Sequence, residues 1–408
     1  MKILILPKDK FPLNRPMLTE LWSKEMIKLG CDLYWIVQSQ KINGRILKKI
    51  LPSNSLYIIP AFGKKQLVLK IINIFLNIFF KLFLSMILIN QYKIRLIHVH
   101  NAPEEGIIAL ILSKIFKIGF TYAYTSHFLF SINLPIKDRN RLETLFKNAQ
   151  NYIRKRLYLT VLKNASVVFP ISEELMIILN SEFEVPINKM MAVPECASSL
   201  FLEQRKKSDV KVLNKPKKLV YIGSLGKRRK IDFIVDMFGI VKTQYNNIEL
   251  YLIGWGERSN DIKLLNQYIN KKKLESSIKF LNKIPYNKVP EELFKFDIGL
   301  SLIPPLGIYL ISTPTKCIEY LSLGLPVVAN SEIKDQKKLL DLSGGGILTK
   351  YDIHEAANSV MKLLLDEELR TKCGEQGYKW IKENRTFSNI ATPIYFRLSN
   401  IKKGYKKG

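Results

Sequence analysis

Between Thr313 and Asn330 the chain reads T-P-T-K-C-I-E-Y-L-S-L-G-L-P-V-V-A-N, and these residue types could hold an anionic, hydroxyl-rich ligand. Pro314 and Lys316 stand at an expected helix start, Glu319 falls one turn further in, Gly324 lies at the exit, and Val327 and Val328 begin a buried strand. Proline near a helix start and glycine just past its end are the usual punctuation. The first N–H groups of such a helix lack intrahelical partners and face a positive dipole end, which suits a diphosphate. A carboxylate one turn in accepts hydrogen bonds from sugar hydroxyls. The competing reading is an ordinary helix–strand unit with Lys316 and Glu319 in solvent. A second cationic run, K-R-R-K over Lys227 to Lys230, follows the turn at Gly223 and Ser224. It is either a phosphate ligand or a solvated basic surface. His127 follows an expected strand over Thr121 to Thr125, where a lone histidine is as compatible with a structural role as with a catalytic one.

The elements that must position these residues repeat with an α/β rhythm. Strands are expected at Ile3–Leu6, Leu33–Val37, Leu96–His100, Thr121–Thr125 and Ser166–Pro170. Between them come an amphipathic helix over Leu18–Leu29 closed by Gly30, an apolar helix over Ile107–Phe116, and a helix capped by Ser172. The rhythm restarts after a polar stretch, with strands at Leu219–Ile222, Leu250–Ile253, Lys279–Leu281, Ile298–Ile303 and Ile347 and a helix over Ile231–Val241. Strands alternating with helices predict parallel, doubly wound sheets with ligand at their carboxyl ends. The 408 residues exceed one typical core. The expected division is an N-terminal domain over 1–203, a linker over 204–218, a C-terminal domain over 219–385, and a helix and basic tail over 386–408 that returns toward the first domain.

The second half resembles glycosyltransferase family 4 (the glycosyl transferases group 1). The segment L-V-Y-I-G-S-L-G-K-R-R-K-I-D-F-I-V-D-M-F is similar to that family's strand, glycine loop and helix under the donor phosphates. E-L-Y-L-I-G-W-G-E is similar to the next strand and turn. The segment from Ile278 to Pro304 resembles the one that holds the nucleobase, and Thr313–Asn330 resembles the family's nucleotide-sugar signature. I-H-V-H-N-A-P-E-E-G, Y-T-S-H-F and V-V-F-P-I-S-E-E-L occur in matching order in the first half. The resemblance implies a GT-B fold, two Rossmann-like doubly wound domains facing a central cleft, and retaining transfer of a sugar from a nucleotide-sugar to a lipid-linked or cell-surface polysaccharide acceptor. It implies catalytic roles for His127, Arg229 and Lys316, and donor binding by Gly223, Ser224, Arg228, Pro285, Thr315 and Glu319. No metal and no cofactor is expected, because protein cations would neutralise the diphosphate. The chain departs from the pattern twice. A family glutamate expected at the position of Ile311 is absent, with Ser312-Thr313-Pro314 as a loop in its place, and Ser224 stands where an arginine commonly follows the glycine.

A net charge of +29 implies an anionic partner. A basic nucleic-acid-binding protein is the rival class, although none of the familiar nucleic-acid motifs is present; a nucleotide-sugar epimerase or hydrolase of the same fold is the rival enzyme. The segment Leu67–Asn90 is nearly continuous Ile, Leu and Phe, interrupted by Lys70, Asn73, Asn77 and Lys81. Those interruptions argue against a membrane span, which needs about 20 apolar residues. An amphipathic helix on an anionic membrane surface is expected, with Phe79, Phe80 and Phe83 facing lipid; an internal packing helix is the alternative. Cys31, Cys196, Cys317 and Cys373 are scattered without metal-ligand spacing, so a reducing cytoplasm is expected, at the inner face of the cell membrane.

Overall fold

The computed structural model describes residues 1–41, 44–61, 67–125, 141–206 and 217–404. They fall into two compact units, Met1–Pro194 with Ile390–Gly408, and Glu195–Asn389.

In the first unit, β1 (Lys2–Pro7), β2 (Asp32–Gln38), β3 (Leu47–Leu51), β4 (Asn54–Ile59), β5 (Leu96–His100), β6 (Gly119–Tyr124) and β7 (Val167–Pro170) form one sheet in the order β3-β4-β2-β1-β5-β6-β7. Its pairs are parallel except β3, which runs antiparallel to β4 at the edge. The inner strands are continuous apolar runs because helices cover both faces; Ile3 to Leu6 are fully buried. Sequence patterning missed β3 and β4. β3 reads L-K-K-I-L and is exposed throughout, so it carries none of the buried periodicity that marks a strand. A helix over Met17–Met26 follows β1, and its hydrogen bonding is of the wide π type. That differs from the regular helix expected over Leu18–Leu29, although Gly30 closes the segment at φ +81°. The other helices are α1 (Leu67–Tyr92), α2 (Pro103–Phe116), α3 (Arg141–Asn164) and α4 (Glu173–Ser181). The Ser172 hydroxyl caps α4 by accepting from Leu175 N at 3.1 Å.

The second unit contains α5 (Ser199–Lys206), β8 (Lys217–Ser224), α6 (Ile231–Gln244), β9 (Ile248–Trp255), α7 (Asp261–Lys271), β10 (Ile278–Asn282), α8 (Val289–Leu293) and β11 (Ile298–Ser301). It continues with α9 (Gly307–Leu310), α10 (Thr315–Ser322), β12 (Val327–Asn330), α11 (Lys334–Ser343), β13 (Gly346–Thr349), α12 (Ile353–Leu365) and α13 (Glu367–Asn384). The final helix, α14 (Phe387–Gly404), starts here and enters the first unit at Ile390. The strands are all parallel in the order β10-β9-β8-β11-β12-β13. That is the Rossmann order, with its topological switch point between β8 and β11. Successive residues of β8 serve opposite faces: Leu219 and Tyr221 join the core with α6 and α12, while Val220 joins the core with α10. The polar stretch is not all linker. Gln204 to Lys206 finish α5, Lys217 and Lys218 open β8, and the residues between lie outside those described.

Candidate functional site

The switch point of the second sheet is shaped by two glycines. Gly223 and Gly254 face each other across β8 and β9, with φ of +147° and +157°. A Cβ on Gly254 would meet the Gly223 carbonyl oxygen at 1.8 Å, so the two strand ends can approach this closely only without side chains. A Cβ on Gly223 would lie 3.7 Å from Lys316 Nζ. The lysine ammonium therefore rests against the carboxyl end of β8, and it lies 4.2 Å from the centre of the Tyr221 ring.

Helix α10 brings Lys316 there. Tyr320, one turn later on the same face, is fully buried; its hydroxyl accepts from Ile222 N at 3.0 Å. The ring occupies space above β11 that only glycine leaves open, since a Cβ on Gly299 would meet it at 2.5 Å. Beneath the incoming loop, Gln336 is fully buried. It accepts from Ser301 Oγ at 2.9 Å and donates to Asn330 O at 2.6 Å, while Asn330 Oδ1 accepts from Ile303 N at 2.7 Å. These bonds fix the ends of β11 and β12, between which the α9–α10 segment runs. Pro314 is the residue before α10 and supplies no side-chain cap, so the amide end of the helix is left for another acceptor.

Arg229 completes a cation pair. It ends a short turn of helix over Lys227–Arg229, and its guanidinium lies 4.5 Å from the centre of the Tyr309 ring on α9. Its buried Nε has no hydrogen-bond partner among the described residues. The Lys316 side chain is buried, and that burial, followed by the Arg229 charge, pushes its pKa down to about 7; Glu319 opposes the shift. Burial pushes half-buried Glu319 up to about 7, against Lys316 and a hydrogen bond from Tyr286, with Glu195 adding to the rise. Two cations converging at a switch point, with desolvation opposing the charge of Lys316, form a site that gains from a bound anion.

The expected residues are not all brought together. Gly223, Arg229, Lys316 and Glu319 share the site. Thr315 is exposed at the first turn of α10, and Arg228 is exposed beside Arg229. Pro285 is exposed just before Tyr286, which reaches Glu319. Ser224 donates to Glu257 Oε1 at 2.7 Å and accepts from Gly226 N at 3.2 Å, so it braces the loop. His127 lies outside the described residues. Tyr221, Tyr286 and Tyr309 escaped the sequence reading. Tyr221 reads as strand core and the other two as loop, and only the fold places their rings beside cations or carboxylates. Among the described residues, no group of three or more His, Cys, Asp or Glu is placed to hold a metal ion.

At the matching strand ends of the first unit, His98 and His100 are buried. His98 Nδ1 lies 2.9 Å from Thr121 Oγ1, and the Trp22 ring is centred 4.0 Å from the His98 ring. Burial lowers the pKa of both, that of His100 to about 4, so both are neutral at physiological pH.

Residues 203–380 match the family model described as Glycosyl transferases group 1. An uncharacterized glycosyltransferase of Methanocaldococcus jannaschii, MJ1069, is 24% identical over 257 residues, 60% of this chain and 61% of that protein; the chain thus aligns with less than two thirds of that relative. Over 99% of this chain and 100% of the other, the structure is similar to sucrose-phosphate synthase from Thermosynechococcus elongatus, at 14% identity and a TM-score of 0.72. It is also similar to Anabaena HepE in complex with UDP-glucose, at 14% identity and a TM-score of 0.65 over 98% and 100%. The chain has the GT-B fold, two Rossmann-like domains, and its match to the glycosyl transferases group 1 covers the unit that holds the Arg229–Lys316 pair.

Proposed function

We propose that the protein is a retaining glycosyltransferase that moves a sugar from a nucleoside-diphosphate sugar to a lipid-linked or cell-surface polysaccharide acceptor at the inner face of the cell membrane. The observation that carries the donor half is the convergence of Arg229 and buried Lys316 on the uncapped start of α10. As the sugar's bond to the diphosphate breaks, negative charge grows on the departing oxygen. Preorganised cations and amides in a partly desolvated site stabilise that charge more than water does. Glu319, held by Tyr286, accepts hydrogen bonds from ribose hydroxyls. The glycosyltransferase match supports the reaction class, and the UDP-glucose complex of HepE makes UDP-sugars the first donors to try.

Thermal denaturation with UDP, GDP, ADP and CMP tests the donor site. A nucleoside diphosphate at about 100 times its Kd adds roughly 2.7 kcal/mol, and CMP, with one phosphate, adds less. Equal stabilisation by all four, or by none, overturns the assignment. Release of free sugar that no acceptor diverts into product would favour a hydrolase, and the anomeric configuration of the product, read by NMR, decides between retention and inversion.

A further inference from the structure

We propose that the outer faces of α1 and α2 form a docking surface for an anionic phospholipid bilayer, with α1 lying in the membrane plane rather than crossing it. This inference deepens the membrane half of the proposed function and rests on residues of the first unit alone, so its test is separate from that of the donor site in the second.

Helix α1 is amphipathic in the reverse of the usual sense. Lys81 and Ser85 are buried, and Lys81 pairs with Glu105 of α2 while donating to Pro7 O at 3.4 Å. Asn77 Nδ2 lies 3.5 Å from the same carboxylate. Asn77 and Lys81, two of the polar residues that interrupt the hydrophobic run, are thus used inside the protein. The opposite side carries Phe75, Phe79 and Phe83, exposed by 69%, 58% and 52%, at the four-residue spacing that makes one stripe. Ile74, Ile78 and Ile87 widen it, and on neighbouring α2 Ile111 and Ile115 are exposed too. Phe80, expected to face outward, is half-buried.

Topology rules out a span. α1 connects β4 to β5, and both strands belong to one sheet; a helix crossing the bilayer would put them on opposite sides of it. Charge selects the occupant. At the carboxyl ends of α1 and α2, a groove of about 290 Å³ is lined by Asn90, Lys93, Arg95, Phe116 and Lys117, among others, and by no acidic residue. Lys114 adds an exposed cation beside Ile115. Apolar insertion next to basic attraction fits a lipid surface with anionic headgroups. A second copy of the chain would instead set these cations against their own kind.

The test is flotation of the full chain with phosphatidylcholine vesicles, with and without phosphatidylglycerol. Binding should require phosphatidylglycerol and weaken in high salt. Phe75→Ser, Phe79→Ser and Phe83→Ser together should lower it about tenfold or more. Lys93→Gln, Arg95→Gln and Lys117→Gln together should remove most of the salt-sensitive part, with far-UV circular dichroism melts confirming that each variant folds. A fluorophore on Phe79→Cys should shift to the blue on binding and be quenched by shallow rather than deep bromolipids. Absence of binding, equal binding to neutral vesicles, deep quenching, or a lipid-free dimer that the serine substitutions dissociate would each overturn the proposal.

Discussion

Lys316 and Glu319 lie three residues apart on α10, and burial pushes both toward neutrality with pKa values near 7. An anionic donor favours charged Lys316 and raises its pKa. Below pH 7 the lysine already carries its proton; above it, binding must take one up, and affinity falls as pH rises. Protonation of Glu319 below about pH 7 removes its charge and weakens it as an acceptor, so affinity also falls on the acid side. Calorimetry with a nucleotide-sugar should therefore show an optimum near pH 7, with Lys316→Arg flattening the alkaline limb and Glu319→Gln the acid limb. An affinity independent of pH between 6 and 9 would show that neither group meets the donor. Arg229→Ala should lower kcat about a hundredfold or more, as loss of a cation that meets developing charge does, while exposed Arg228→Ala changes little. Tyr309→Ala should cost roughly threefold to thirtyfold through loss of the cation–π contact, and Tyr309→Phe should restore it. A larger loss in Arg228→Ala would mean that the loop presents the other arginine.

At the scale of elements, Tyr320 over Gly299 helps to seat α10 on β11, and a buried ion pair ties α1 to α2. Gly299→Ala drives a methyl into the Tyr320 ring and should destabilise the fold by about 1–3 kcal/mol in denaturant titrations, as overpacking does. Lys81→Met leaves Glu105 buried without its partner and should cost about 3–5 kcal/mol. Combining it with Glu105→Leu should recover most of that loss, because no buried charge then remains. If the double variant is as unstable as the single one, the pair is not what anchors α1.

For the whole molecule, the proposed donor site belongs to the second unit and the proposed lipid-docking surface to the first. Hydrogen exchange should separate them. UDP should slow exchange at the start of α10 and around Arg229, and anionic vesicles should slow it along α1. Protection of α1 by UDP alone would show that the helix is an internal element answering to the donor.

The α/β alternation, the turn at Gly223 and the Pro314–Gly324 helix were legible in the sequence because each rests on local signals: apolar runs, glycine at positive φ, and proline before a helix. Lys316 and Glu319 were picked out by their places at the start of that helix, and Arg229 by the resemblance of its loop to the family's phosphate loop. What the sequence did not carry is any contact between distant segments. Tyr309 meets Arg229 across eighty residues, Gly299 matters only because Tyr320 lies above it, edge strand β3 lacks a buried face to reveal it, and β4 is buried only over its last three residues, too short a run to stand out. Nor does a run of Ile, Leu and Phe say which side faces out. Tertiary packing decided that when Glu105 drew Lys81 inward and left the phenylalanines on the surface.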